Sequence, residues 1–259
     1  IAEGKLDTRV AEDIGTRRDE LGLLAADFDR MAGELQRAWQ KQTELTRNVS
    51  HELRSPLARL RVALELVRRK TGDLDELDKI DTETERLDEL IGRILEYSRL
   101  DVDSRENRST VDLGDLLHSV VDDVRYEYGE LGSNVSIELN ADVTSTISGY
   151  PGALRSCFEN VLRNAVQHGG DGGDVFVRLE TDGSQAVIVV EDQGGGVPDD
   201  ELGKIFEPFY RSSSTQNAKR RSGGLGLAIA SRAATLNGGT ISARNSANGL
   251  RVEIRLPHC

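Results

Sequence analysis

The sequence has few aromatic residues, two cysteines and no long apolar run. Aromatic residues make up 4% of its 259 residues and charged residues 30%, a balance that fits long solvated helices better than an aromatic-rich barrel. Cys157 and Cys259 do not form a CxxC pair, which argues against a disulfide framework or a thiolate metal site. Since no apolar run reaches about 18 residues, we expect no transmembrane helix in this chain.

The sequence also lacks an excess of positive charge. Its net charge is -12, which disfavours direct nucleic-acid binding, because that binding depends on Lys and Arg neutralising phosphates. The chain begins at Ile1 without an initiator methionine and shows no signal peptide, so we expect it to be a fragment of a longer protein.

Charge and apolar spacing divide the chain into three zones. Residues 1–40 are charged, with one amphipathic stretch from Leu21 to Leu35. Residues 41–106 contain two longer series of apolar residues three or four positions apart, separated by a turn at Thr71–Asp73. This spacing predicts an antiparallel helical hairpin with one apolar stripe on each helix. Because one hairpin cannot bury both stripes, we expect a homodimer that forms a four-helix bundle.

The third zone, residues 107–259, alternates strand and helix patterns around glycine-rich loops. The predicted strands are Val135–Leu139, Val175–Leu179, Ala186–Val190, Thr240–Ala243 and Leu250–Leu256. Helical patterns cover about residues 113–131, 153–168 and 226–237. This zone therefore predicts a separate α/β sandwich with helices on one face of a sheet.

His51 lies off the apolar stripe of the first long helix. At roughly 100° per residue it is about 200° around the helix from Val49 and from Leu53, so we expect it to point into solvent. A single histidine so placed is usually an ordinary surface residue. However, Glu52 could take or orient an imidazole proton, and Pro56 removes a backbone hydrogen bond one turn later, at a cost of about 3 kcal/mol. These neighbours favour a nucleophile beside a weak point of the helix.

The segment Ser50–Leu57, SHELRSPL, resembles the H-box of sensor histidine kinases, in their dimerisation and phosphotransfer domain. The resemblance implies that His51 accepts the phosphoryl group and that Glu52 holds or accepts the ring proton. Ser55 stands where members of the family commonly have Thr or Asn, and the resemblance gives it a part in transfer or dephosphorylation.

Two polar features of the third zone suit a nucleotide. Asn160 and Asn164 are four residues apart on a predicted helix and share one face. Their amide oxygens suit Mg²⁺, although such a pair alone is more often helix-surface polarity. Asp192 follows a predicted strand and precedes three glycines. Its carboxylate could accept a hydrogen bond from the exocyclic amine of adenine, and the glycines let the backbone approach a flat ligand.

Basic and glycine-rich segments follow. Phe206 and Phe209 have the pattern of core anchors, whereas Arg211 suits a phosphate contact. Residues 212–221 have the composition of a mobile loop with a basic end. Gly223 and Gly224 then precede a helix, whose N-terminal N–H groups and dipole can bind phosphate.

In order, these four segments resemble the N, G1, F and G2 boxes of the GHKL (Bergerat) ATP-binding fold, which histidine kinases share with Hsp90, MutL and type II topoisomerases. The resemblance implies ATP as cofactor and Mg²⁺ held by Asn160 and Asn164. The implied nucleotide-binding residues are Asn160, Asn164, Gln167, His168, Asp192, Gly194, Gly196, Arg211, Gly224, Leu225, Gly226 and Leu227. Gln167 replaces a phosphate-binding Lys of many members, and Ser222 replaces the first glycine of the G2 box.

The boxes together imply a sensor histidine kinase of a two-component system. Residues 1–40 would be part of a HAMP linker, 41–106 the dimerisation and phosphotransfer domain, and 107–259 the catalytic ATP-binding domain. The expected fold is thus a dimeric helical hairpin followed by an α/β sandwich. Such a protein autophosphorylates, passes the phosphoryl group to an aspartate of a response regulator, and can dephosphorylate that regulator. We expect it to be the cytoplasmic portion of an inner-membrane protein, attached through segments missing from this chain.

Two alternatives remain open on the residues alone. A GHKL ATPase that is not a kinase would explain the third zone, but it leaves the pair His51–Glu52 and Pro56 unexplained. The second alternative is a dimeric signalling scaffold without catalysis. Gln167 and Ser222 favour it, because they replace residues that bind nucleotide in many members of the family. Phosphohistidine formation separates the first alternative from the kinase, and an ATP titration separates the second.

Overall fold

The computed structural model describes residues 20–72, 74–100, 108–130, 137–140, 145–169, 174–213 and 223–258. The chain divides into two compact units, Ile1–Ser98 and Arg99–Cys259. In the described ranges, no helix combines the length and the apolar character that crossing a membrane requires.

The first unit contains two long helices. Helix α1 spans Glu20–Thr71 and helix α2 spans Asp75–Arg99, so the predicted helical hairpin is confirmed. The first helix continues past residue 40, which means that the expected boundary between the first two zones is not marked by a helix end. It also continues through Pro56, whose ring nitrogen cannot donate the usual backbone hydrogen bond.

Ion pairs join the two helices of the hairpin. Three arginines of α1 stand seven residues apart, and their acidic partners occur in reverse order along α2, as an antiparallel arrangement requires. The pairs are Arg54–Asp88 at 3.6 Å, Arg61–Glu85 at 2.8 Å, and Arg68 with both Asp78 and Asp81. Exposed pairs of this kind contribute about 0–1 kcal/mol each, so they specify the register of the hairpin more than they stabilise it.

One chain leaves much of the hairpin's apolar stripe uncovered. On α1, Leu53 and Leu60 are 45% and 49% exposed, and on α2, Ile80 and Leu87 are 45% and 50% exposed. Within each helix these positions are seven residues apart, which is the repeat of a helical bundle seam. A second copy of the hairpin would cover such a stripe.

The second unit is an α/β sandwich, as predicted. Its helices are α3 (Leu113–Glu130), α4 (Pro151–His168) and α5 (Gly226–Leu236). Its strands are β1 (Ser109–Asp112), β2 (Ile137–Asn140), β3 (Thr146–Gly149), β4 (Val175–Asp182), β5 (Gln185–Glu191), β6 (Thr240–Asn245) and β7 (Leu250–Pro257). One 3₁₀ turn covers Lys204–Phe206.

Five strands form the main sheet in the order β2-β4-β5-β7-β6, and β1 pairs with β3 separately. The β2–β4 pair is parallel and the other neighbours in the main sheet are antiparallel. The register places Leu179, Ile188 and Ile254 side by side, and each is at most 2% exposed. Helix α4 packs against α5 and β5, so this buried face of the sheet and the helices form the core.

The prediction of Phe209 as a core anchor is wrong. Its side chain is 59% exposed, whereas Ile205, four residues earlier, is 8% exposed and takes the buried position. Phe209 has a φ of 64°, in the left-handed region that bulky residues rarely adopt. Its N–H donates to the carbonyl of Gly224 at 2.8 Å. This backbone bond stabilises the unusual conformation, in which the side chain lies outside the core. Phe206 is half-buried.

Candidate functional site

Helix α4 carries the predicted metal ligands. Asn160 is 7% exposed, and its Nδ2 donates to the carbonyl of Ser156 at 2.9 Å, which orients the amide against its own helix. Asn164 lies one turn later and is half-buried, as are Gln167 and His168 near the helix end. The four predicted residues of this helix therefore occupy its last three turns.

Asp192 lies just beyond the end of strand β5 and is 3% exposed. Its Oδ1 accepts hydrogen bonds from the N–H of Gly194 at 2.9 Å and from the N–H of Leu250 at 3.0 Å. Burial raises the pKa of Asp192, because a carboxylate loses solvation there, while these two backbone bonds and His168 act in the opposite direction. A buried carboxylate held by one oxygen is well placed to receive a donor at the other.

Two glycines let the backbone pack tightly around Asp192. A Cβ at Gly249 would lie 2.1 Å from the carbonyl oxygen of Asp192 and 2.6 Å from its Oδ1. A Cβ at Gly194 would lie 1.8 Å from the carbonyl oxygen of His168. Neither space admits a side chain, so the end of α4, the loop after β5 and the turn before β7 meet here. The sequence motif indicated Gly194 but not Gly249.

His168 contributes to the same cluster. Burial lowers the pKa of its imidazole, the positive charge of Arg211 lowers it further, and Asp192 opposes both. The lowered pKa favours the neutral ring, which can donate or accept a hydrogen bond without adding charge. The predicted phosphate contact of Arg211 stays a prediction.

The segment after Arg211 is held by a carboxylate that the sequence did not single out. Glu201 accepts a hydrogen bond from the Ser213 hydroxyl at 2.8 Å and from the Ser213 N–H at 3.1 Å. The hydroxyl of Ser212 and that of Ser213 lower the pKa of Glu201 by hydrogen bonding to its charged form. An acid ten residues before Arg211 has no periodicity that would have revealed this role.

The sequence also did not indicate a role for Asn245. At the end of β6, its Oδ1 accepts from the N–H of Val197 at 2.9 Å, and its Nδ2 donates to the Val197 carbonyl at 2.7 Å. This pair of bonds holds the glycine loop that contains Gly196 against the sheet. No sequence pattern indicates this role, since Asn is common in turns at strand ends.

The glycine-rich segment before α5 contacts the turn that precedes Arg211. A Cβ at Gly224 would lie 2.7 Å from the carbonyl oxygen of Tyr210, and Gly226 begins the helix. Leu225 and Leu227 are 1% and 8% exposed. Their side chains belong to the core, so a nucleotide contact at these two positions would come from the backbone. The predicted basic end at residues 219–221 and Ser222 lie outside the described residues.

The H-box residues belong to the other unit. His51 lies within α1, and its side chain is outside the described residues, so its expected orientation stays a prediction. Glu52 and Ser55 are exposed. The Ser55 hydroxyl accepts a hydrogen bond from Nη1 of Arg59 at 2.7 Å. The predicted site residues thus lie in both units: the H-box residues lie on α1, and the predicted nucleotide residues lie in the sandwich, where His168, Asp192 and Gly194 come together.

A helical hairpin with an H-box, followed by an α/β sandwich with a buried aspartate beside glycine loops, defines a histidine-kinase type of phosphotransfer protein. The chain belongs to the sensor histidine kinases. Residues 41–102 match the family model of the His Kinase A (phospho-acceptor) domain. Residues 149–259 match that of the histidine kinase-, DNA gyrase B-, and HSP90-like ATPases, which identifies the second unit as an ATP-binding domain.

Curated relatives agree with this assignment. The chain is 33% identical over 258 residues to the sensor histidine kinase CpxA of Escherichia coli (strain K12), covering 99% of this chain and 55% of CpxA. It is 32% identical over 251 residues to the sensor protein PfeS of Pseudomonas aeruginosa, covering 96% of this chain and 54% of PfeS. The chain therefore spans about half the length of the curated relatives it matches.

Solved structures show the same folds. The mycobacterial sensor histidine kinase MprB aligns with a TM-score of 0.51 and 28% identity, covering 58% of this chain and 97% of that one. ShkA, solved in complex with AMPPNP, aligns with a TM-score of 0.64 and 25% identity, covering 83% of this chain and 46% of that one. The phospho-acceptor match includes His51, so the comparisons support the kinase and give no support to the two alternatives.

Proposed function

We propose that this chain uses ATP to phosphorylate His51 and then passes the phosphoryl group to an aspartate of a response regulator. The observation that carries the proposal is the phospho-acceptor match over residues 41–102, on a chain whose residues 149–259 also match an ATPase domain. The same resemblance supports dephosphorylation of the regulator as a second activity.

The residues of the cluster fit ATP. The space at Gly194 and Gly249 admits no Cβ, and both hydrogen bonds to Asp192 from described residues reach Oδ1. We propose that Oδ2 accepts the hydrogen bond from the adenine amine. Asn160 and Asn164 would hold Mg²⁺, which supplies positive charge to the phosphates when bound. Arg211 and the basic end of the following loop would add to that neutralisation.

The first chemical step forms a bond between a ring nitrogen of neutral His51 and the γ-phosphorus of ATP. The bond from that phosphorus to the bridging oxygen breaks, and ADP leaves with the electron pair. Glu52 holds or accepts the proton of the ring. In the second step the aspartate of the regulator attacks the same phosphorus, and His51 is regenerated.

The assembly that we propose is a homodimer. It rests on the apolar stripe that includes Leu53, Leu60, Ile80 and Leu87, because a second hairpin would bury these residues in a four-helix bundle. The proposed domains are a partial HAMP linker over 1–40, a dimerisation and phosphotransfer domain over 41–106, and an ATP-binding domain over 107–259. We further propose that the chain is the cytoplasmic portion of an inner-membrane sensor.

Incubation with γ-labelled ATP and Mg²⁺ tests the proposed activity. We expect a covalent label that survives alkali and is lost in acid, because a phosphohistidine N–P bond is acid-labile. The label should be measured on gels after parallel acid and alkali treatment. ATP hydrolysis without any protein-bound label would instead support a GHKL ATPase, and a label stable in acid would exclude histidine as the acceptor.

Pro56 gives a prediction about switching in the hairpin. Pro56→Ala restores a backbone hydrogen bond and removes a ring clash, so the free energy of unfolding should rise by up to about 3 kcal/mol. If the weak point lets α1 alternate between bent and straight arrangements, the ratio of kinase to phosphatase activity should also change. Both rates and thermal unfolding should be measured on one preparation. Higher stability with an unchanged ratio would mean that Pro56 is only a tolerated irregularity.

A further inference from the structure

The arginines that follow His51 on α1 are not equivalent. Five arginines lie between residues 52 and 70. Arg54, Arg61 and Arg68 form the ion pairs with α2 described above, and Arg69 lies 3.4 Å from Glu65 on its own helix. Four of the five positive charges are therefore balanced by a neighbouring carboxylate.

Arg59 is the exception. No ion pair joins it to a carboxylate in the described parts of the chain, and its Nη1 instead donates to the hydroxyl of Ser55 at 2.7 Å. Both side chains are exposed. A neutral hydroxyl orients the guanidinium without cancelling its charge, so this part of the helix surface keeps an uncompensated positive charge.

The position of this charge relates it to His51. Residues 51, 55 and 59 are successive steps of four along α1, and residues four apart are neighbours on a helix surface. Helical side chains also lean toward the N-terminus, and the bond from Arg59 to Ser55 runs in that direction. The guanidinium is therefore held over the turns that lead back to residue 51.

The pair offers several donors to an anion. The Ser55 hydroxyl accepts from Arg59 and keeps its own O–H as a donor, and the guanidinium has further N–H groups beyond the one already used. Guanidinium and phosphoryl groups match well, because two parallel hydrogen bonds can form between them. Among the described side chains, the charges nearest to residue 51 on the same helix are Glu52 and Arg54, and Asp88 lies 3.6 Å from Arg54. Within that set, Arg59 is the nearest cation that has no carboxylate partner.

We infer that Arg59 is a phosphoryl-binding residue of the phosphotransfer site, held toward His51 by Ser55. It would contact oxygens of the phosphoryl group after that group has reached His51 and while it passes to the aspartate of the regulator. This inference rests on the proposed function only for the identity of the acceptor. It goes beyond that function by adding a residue outside the H-box and a separate role for the hydroxyl of Ser55.

The direct test is ³¹P NMR of the full chain carrying phosphohistidine made chemically with phosphoramidate. The His51 signal is identified by its absence in His51→Gln. A guanidinium in contact favours the dianionic phosphoryl group, so the pKa of this group should be lower in the wild type than in Arg59→Ala. The pKa of the phosphoryl group in Ser55→Ala should lie between these two values, because the guanidinium is still present but no longer has the Ser55 hydroxyl to orient it.

Arg69→Ala is the matched control. It removes one exposed arginine from the same helix ten residues further along and should leave the phosphoryl titration unchanged. Arg59→Lys keeps the charge but loses the paired donors, so it should recover only part of the wild-type shift. An equal effect of Arg59→Ala and Arg69→Ala would overturn the inference, because it would show a general effect of net charge.

A kinetic measurement completes the test. A response regulator is first selected by screening for one that accepts the phosphoryl group from the labelled chain. Arg59→Ala should slow phosphoryl transfer to this regulator by roughly 10-fold or more, and the dissociation constant for ATP should stay unchanged. An unchanged transfer rate together with an unchanged ³¹P titration would refute the role of Arg59. Failure of ATP to label the wild type would refute the proposed function instead, and the chemically loaded protein would still report on Arg59.

Discussion

Replacing His51 with Gln is expected to reduce labelling from γ-labelled ATP to background, while ATP binding and dimerisation stay at wild-type levels. Gln has no ring nitrogen that could form the N–P bond, yet it is a good helix former of similar size. The nucleotide cluster around Asp192 lies in the other unit, so its affinity for ATP should not depend on this side chain. The measurements are gel autoradiography, an ATP titration and the mass of the assembly in solution.

His118→Gln is a suitable control for this experiment. His118 is an exposed histidine of α3, and its Nδ1 lies 2.8 Å from the carbonyl oxygen of Gly114, so the substitution removes another imidazole without touching the H-box. This variant should label as the wild type does. Wild-type labelling of His51→Gln would show that the phosphoryl group goes elsewhere and would end the assignment of His51.

The regular elements could be predicted because their signal is local. The alternation of apolar residues is clear in strands such as Leu250–Pro257, whose side chains are alternately buried and half-buried along nearly the whole strand. The three-and-four spacing in residues 41–106 likewise indicates the two helices of the hairpin. In both cases one face of the element is buried, so apolar residues recur in the sequence at the period of that element.

Strands β1 and β3 were not among the predicted strands. They have four residues each, and their pairing of Val111 with Ile147 joins distant parts of the chain. Phe209 illustrates a different limit. An aromatic residue in an apolar segment normally predicts burial, but here a left-handed backbone and a bond to Gly224 leave the side chain exposed.

The candidate site shows the same division between local and distant information. The motif indicated Asp192 because an acid between a strand and three glycines is a local pattern. The hydrogen-bond partners at the site are not local. Leu250, which donates to Asp192, is 58 residues away from it in the sequence. Asn245 and Val197, which bond to each other, are 48 residues apart. Such partners depend on the sheet order, which brings the ends of β5, β6 and β7 together. Only the folded chain reveals them.

Asp192→Asn should weaken ATP binding by about 100-fold, or about 2.7 kcal/mol, without unfolding the domain. The amide oxygen of Asn can still accept the hydrogen bonds of Gly194 and Leu250. The amide NH₂ then replaces Oδ2, so a donor would face the donor amine of adenine, and both would be left unpaired in a buried position. Titration with a non-hydrolysable ATP analogue and Mg²⁺ measures this loss.

Thermal unfolding without nucleotide distinguishes lost recognition from lost structure. Because burial raises the pKa of Asp192, the folded state takes up a proton more readily than the unfolded state. The penalty for the buried charge is thus fully present above the folded pKa, shrinks as pH falls below it, and is gone below the pKa of the unfolded state. Asn carries no charge, so the variant should be at least as stable as the wild type at pH 7, and the difference should shrink on acidification.

Asp200→Asn is the control for charge in the same loop. Asp200 is exposed, and its only ion pair among the described residues is with Lys204 at 3.9 Å, so its loss should change ATP affinity by less than about twofold. If Asp192→Asn bound ATP as tightly as Asp200→Asn does, Asp192 would not be the group that recognises adenine. If Asp192→Asn lost both affinity and thermal stability, its two bonds to the backbone, rather than a contact with adenine, would explain the result.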